Sequence, residues 1–130
     1  MTPEETLKIK SLKDPSDIFN HVVLHLRKQG TRSLTEDQTC AYRGAKGTMC
    51  AVGAIMADDE YELSFESRSI DQLVEENRLT PSFKERIESN LDMLSDLQYF
   101  HDHCLEYWDG RFTEDAEARI NKLASKWNIK

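Results

Sequence analysis

Runs of apolar residues spaced three and four apart, each opened by a residue able to cap a helix, constrain this chain toward a helical fold. After Pro15, Ser16 or Asp17 can cap a helix whose apolar positions are Ile18, Phe19, Val22, Val23 and Leu26, and Gly30 ends it. Ser69 and Gln72 have capping-box spacing and open a helix with Ile70, Leu73 and Val74. Thr80, followed by Pro81 at the first helical position, opens the longest run. Its stripe of Phe83, Ile87, Leu91, Leu94, Leu97 and Cys104 predicts one helix carrying His101, Asp102 and His103 near its C-terminal end. Trp108-Asp-Gly110 breaks the pattern, and Thr113 caps a last helix with Ala116, Ile120, Leu123, Ala124 and Trp127 inward. Thr48 would cap a further short helix holding Cys50, Ala51, Val52, Ala54 and Ile55, which stops at Asp58-Asp-Glu60.

Between Thr31 and Met49 the helical period disappears and turn-forming residues take over, which predicts a small hairpin turning through Gly44-Ala-Lys-Gly47 toward Cys50. A lone hairpin is marginal in water, so Leu34, Tyr42 and Met49 are expected to pack on helices. The expected fold is therefore mainly α, about five helices with a small β-hairpin, in a single compact α+β domain. A chain of 130 residues has the length of one domain: residues 16–130 read as the globular part and 1–15 as a leader or short capping segment.

A formal charge of −7 argues against long-range attraction to nucleic acid or to an anionic membrane, since such binding relies on Lys and Arg neutralising phosphates. No export signal or bilayer-length apolar run is visible, so a cytoplasmic chain is expected. Three cysteines without an export signal read as thiols in a reducing compartment rather than a disulfide framework, with a Cys40–Cys50 bridge disfavoured.

The stretch from Cys40 to Gly53 is the one place that looks built for a ligand. Its basic side chains and glycines sit before an expected helix start, where free N–H groups and the positive end of the dipole favour an anion. Tyr42, Arg43, Lys46, Gly47, Thr48 and Cys50 are the expected ligand-binding residues. The structural alternative for Arg43 is an ion pair with Asp58 or Asp102, and the two readings weigh evenly. Cys50 at a helix start could be an activated thiol, although Cys in an Ala-Val-Gly-Ala-Ile run reads more simply as a buried small hydrophobe. His101 and Asp102 form a second candidate site. The spacing of His101, His103 and Cys104 matches no zinc module, so neither metal nor cofactor is expected. His21 and His25, four apart on the first capped helix, read as structural or solvent-facing.

The pattern Cys40-x-Tyr-Arg-Gly-x-x-Gly-x-x-Cys50-Ala-Val-Gly-x-Ile, followed by Asp58-x-x-Tyr61 and Leu97-Gln-x-x-His101-Asp, resembles a family of small, mostly uncharacterised proteins of tailed bacteriophages and prophages. The resemblance covers about residues 16–127. It implies a phage accessory protein in the bacterial cytoplasm that binds a host protein or sequesters a signalling molecule, counteracting host defence. Together these features lead to a non-enzymatic protein that binds a small anionic ligand or a host protein. The alternative is a thiol- or metal-dependent hydrolase using Cys50 or His101 and Asp102.

Overall fold

The computed structural model describes residues 1–130 and contains six α-helices: α1 (Pro3–Ser11), α2 (Pro15–Gln29), α3 (Ile70–Glu75), α4 (Pro81–Glu88), α5 (Leu91–Tyr99) and α6 (Glu114–Lys126). Their starts follow from local chemistry. Asp14 accepts from the Ser16 N–H ahead of Pro15, the Ser69–Gln72 capping box closes reciprocally, and the Thr80 and Thr113 hydroxyls accept from Phe83 and Ala116. Gly30 ends α2 in the left-handed region at φ 69°, where a side chain would be strained. The 1–15 segment, read as a leader or short capping segment, forms α1, capped by Thr2, and places Ile9 and Leu12 in the core.

The expected long helix from Thr80 to Cys104 is broken. Asn90, at φ −133°, separates α4 from α5 and its side-chain amide donates to the Arg86 carbonyl. Beyond Tyr99 the backbone widens into a π turn over Phe100–Cys104, closed by the Leu105 N–H on the Phe100 carbonyl. The regular hairpin also lies elsewhere than expected: β1 (Tyr107–Trp108) pairs antiparallel with β2 (Arg111–Phe112) around the Asp109-Gly110 turn. In place of the expected hairpin, the 34–49 stretch has two isolated antiparallel bridges, Leu34 with Cys40 and Arg43 with Met49, the second enclosing a 3₁₀ turn at Ala45–Gly47.

No α-helix begins at Thr48. Cys50 through Ala57 runs through the middle of the core as irregular backbone with one 3₁₀ turn at Gly53–Ile55, every residue essentially inaccessible. A Cβ on Gly53 would lie 2.1 Å from the Tyr42 carbonyl oxygen, so only glycine lets the two strands of chain cross there. A buried coil must still satisfy its polar groups, and polar side chains from around the fold do this. The Val52 N–H donates to Gln98 on α5, and His21 on α2 donates through Nε2 to the Ala54 carbonyl. Arg86 on α4 donates to the Ile55 carbonyl and Arg43 to that of Met56. The Ala57 N–H donates to Glu60, whose carboxylate forms a fully buried ion pair with Arg86 at 2.8 Å. Around this axis pack Phe19, Val22 and Leu26 of α2, Phe83 and Ile87 of α4, Leu94 and Leu97 of α5, and Ile120 of α6.

Candidate functional site

The six residues expected to bind an anion are distributed over three clefts. Lys46, Gly47 and Thr48 line a cleft of about 620 Å³ between the last turn of α2 and the 31–48 loop, together with His25, Lys28, Gln29 and Arg32. Arg43 opens onto a neighbouring hollow beside Asp58 and Tyr61, which Gly47 and Thr48 also touch. Tyr42 and Cys50 line a third cleft against α5.

In the first cleft the walls are fixed by bonds within the protein. Gln29 braces Met49 twice, accepting from its N–H and donating to its carbonyl, and His25 donates to the same carbonyl. Burial lowers the His25 pKa and outweighs the Met49 hydrogen bond, so its ring is neutral at pH 7. The Thr48 hydroxyl donates to the Ala45 carbonyl. Arg32 turns its guanidinium onto the carbonyls of Leu105 and Asp102, where the π turn ends. Lys28 and Lys46 form no ion pair, unlike Lys10, Lys84 and Lys126. Lys46 sits at φ 59° and Gly47 at φ 75°, within a 3₁₀ turn over Ala45–Gly47. Glu36 is the one carboxylate on the lining. A cleft with two unpaired ammonium groups and one carboxylate on its lining can hold an anion. Lys28 escapes a motif search because it lies in the last turn of an amphipathic helix, where basic residues are expected for dipole reasons alone.

Arg43 is committed to the fold. Nη1 donates to Asp58 and Nη2 to the Met56 carbonyl, each at 2.5 Å, and the guanidinium lies 5.4 Å from the Tyr61 ring centroid. The Tyr42 hydroxyl donates to the Arg68 carbonyl. Cys50 is fully buried, and burial pushes its thiol up to about 12, opposite to the lowering that a helix start would give.

The structure brings Cys40 to His101 and Asp102, with one ligand-type atom of each within 4.8 Å of the others. The hydrogen bonds fix the imidazole proton. Nε2 accepts from the buried Ser33 N–H at 3.0 Å, so the proton sits on Nδ1 and is donated to Asp102 at 2.8 Å. A metal on Nδ1 would move that proton to Nε2, directly against the Ser33 amide donor, so the donor set does not fit an ion. Nor is it a nucleophilic triad, because Asp102 lies between thiol and imidazole. Burial and the Asp102 hydrogen bond raise the Cys40 thiol to about 11.

Set against protein-family models, curated proteins and solved structures, the chain matches none of them. No helix is long and apolar enough to cross a membrane.

Proposed function

We propose that this chain is a non-enzymatic binding protein whose ligand is a small polyanion held in the cleft between α2 and the 31–48 loop. The observation that carries this reading is the pair Lys28 and Lys46, unpaired on a polar cleft in a chain of net charge −7. Lys28 and Lys46 face one concavity that also carries Arg32 and only one carboxylate, Glu36, so the local field there is opposite in sign to the overall charge. Leu34 and Ala45 are the lining's apolar residues and no Phe, Tyr or Trp borders it, so charge and hydrogen bonding would supply most of the affinity. The hydrolase alternative loses support from the raised Cys50 thiol and from the His101 ring, whose two nitrogens are both engaged. Within the setting implied by the resemblance, such a site would withdraw an anionic metabolite from a bacterial cytoplasm.

Calorimetric titration with inorganic pyrophosphate tests the reading. Saturable binding is expected, with Lys28→Ala and Lys46→Ala each weakening it about three- to tenfold, the range for one partly exposed charged contact. Binding that both variants leave unchanged would refute it.

A further inference from the structure

The anion cleft has a titratable group among its fixed cations. His25, near the end of α2, lies on the same lining as Lys28, Arg32 and Lys46. Its Nε2 is 3.2 Å from the Met49 carbonyl oxygen, which also accepts from the Gln29 amide at 3.0 Å. A carbonyl only accepts, so the proton of the neutral ring sits on Nε2 and Nδ1 carries a lone pair. Nδ1 makes no hydrogen bond of its own within the protein, and it is not sealed away, since the side-chain nitrogens buried without a partner belong to Arg43 and Arg86.

The charges around the ring are almost all of one sign. Lys28 on its own helix and Arg32 and Lys46 on the 31–48 loop share its cleft, with Glu36 as the one carboxylate. Burial lowers the pKa of the ring, the Met49 and Gln29 bonds oppose this, and His101 and Arg43 on the core side add to the lowering. His21, one turn earlier on α2, is itself held below its ordinary value by burial. In the free protein the imidazole is therefore neutral while its neighbours are charged. A polyanion seated between Lys28 and Lys46 reverses this balance, because it screens the surrounding cations from the ring and brings acceptor oxygens into the cleft that the ring borders.

We propose that anion binding in this cleft is proton-coupled: the bound polyanion draws one proton from solvent onto Nδ1 of His25, which then donates to a ligand oxygen while Nε2 keeps the Met49 carbonyl. The inference rests on the anion reading above and adds its regulation. The direction follows from linkage. A ring that is neutral in the free protein and charged in the complex takes up a proton on binding, so affinity rises as pH falls, and it levels off once the free ring is protonated as well.

The test follows the His25 ring Cε1–H resonance of the full chain by NMR against pH, without ligand and with saturating pyrophosphate. The midpoint of the ring titration should rise by about one pH unit in the complex, equivalent to about a tenfold gain in affinity on protonation. Calorimetry of the parent chain and of His25→Gln, whose amide can still donate to Met49, separates this gain from the titration of pyrophosphate itself, which is common to both. The ratio of parent to variant affinity should climb about tenfold between about pH 8 and about pH 5.5. Where the variant fails to fold, the ring titration of the parent chain decides alone. A His25 midpoint that saturating pyrophosphate leaves in place, or a constant affinity ratio, overturns the coupling and leaves the anion site standing. Absence of pyrophosphate binding at every pH overturns both.

Discussion

Replacing Arg43 by Met separates a structural arginine from a receptor. Met keeps much of the aliphatic bulk and removes every polar contact. The Met56 carbonyl, on a fully buried residue, loses its donor, a cost of about 1–3 kcal/mol. The ion pair with Asp58 contributes less, because Asp58 is 53% exposed and also faces the Met1 ammonium at 3.3 Å, so screening holds it to about 0–1 kcal/mol. The stack on Tyr61 adds about 0.5–1 kcal/mol. Part of this is offset, since the Arg43 Nε is buried without a partner and its removal ends that penalty. The net expectation is a loss of about 2–3 kcal/mol, a fall in Tm on the order of ten degrees for a domain of this size. Urea unfolding followed by circular dichroism measures it. The pH dependence adds a sign. Arg43 holds the Asp58 carboxyl below its usual 3.8, so the pair stabilises above that value and the contribution disappears as pH falls through the folded-state pKa. The variant should lose the corresponding acid sensitivity. Pyrophosphate affinity of the folded variant should be unchanged, since Arg43 does not line the Lys28–Lys46 cleft. A variant of undiminished stability that no longer binds the anion would refute this account and make Arg43 part of a receptor.

Cys50 should resist iodoacetamide at neutral pH in the native chain and react once urea unfolds it, because burial holds its thiol near 12; rapid labelling of the native protein, read by mass spectrometry, would contradict that. Burial lowers the pKa of His21 and His25, so the unfolded chain binds more protons just below their usual 6.5. Stability should therefore be fully present above 6.5 and decline as pH falls below it, and a His21→Asn/His25→Asn chain should show a flatter profile in urea titrations across that window. An unchanged slope would show that neither ring is the titrating group.

What sequence reasoning captured is what local chemistry decides. The caps at Ser69, Thr80 and Thr113 and the stripe of α2 depend on residues within a few positions of one another, and all lie where the pattern puts them. The stripe from Phe83 to Leu97 survives a helix break at Asn90 because α4 and α5 pack on the same core, so continuous periodicity did not mean a continuous helix. The Cys50–Ile55 stretch carried the small apolar residues of a buried helix, yet Gly53 has to pass the Tyr42 carbonyl too closely for any Cβ. That is a long-range constraint with no local signature. The placement of Cys40 beside Asp102 depends likewise on the π turn, which no spacing announced.

The same distinction explains why Arg43 and Lys46, three positions apart and alike in charge, have different roles. Arg43 leads into the buried coil, and a planar fork of donors can serve a carbonyl and a carboxylate at once, as it does with Met56 and Asp58. Lys46 stands on the turn itself at φ 59°, exposed and beyond the reach of any carboxylate that pairs with it. The glycine-rich motif thus contains one group spent on satisfying the interior and one left for solvent. The polar residues that hold the 50–57 coil, namely His21, Arg43, Arg86 and Gln98, are consumed by that task. Lys28 and Lys46 stand outside that network and form no ion pair, which is why the proposed anion cleft rests on them and not on Arg43.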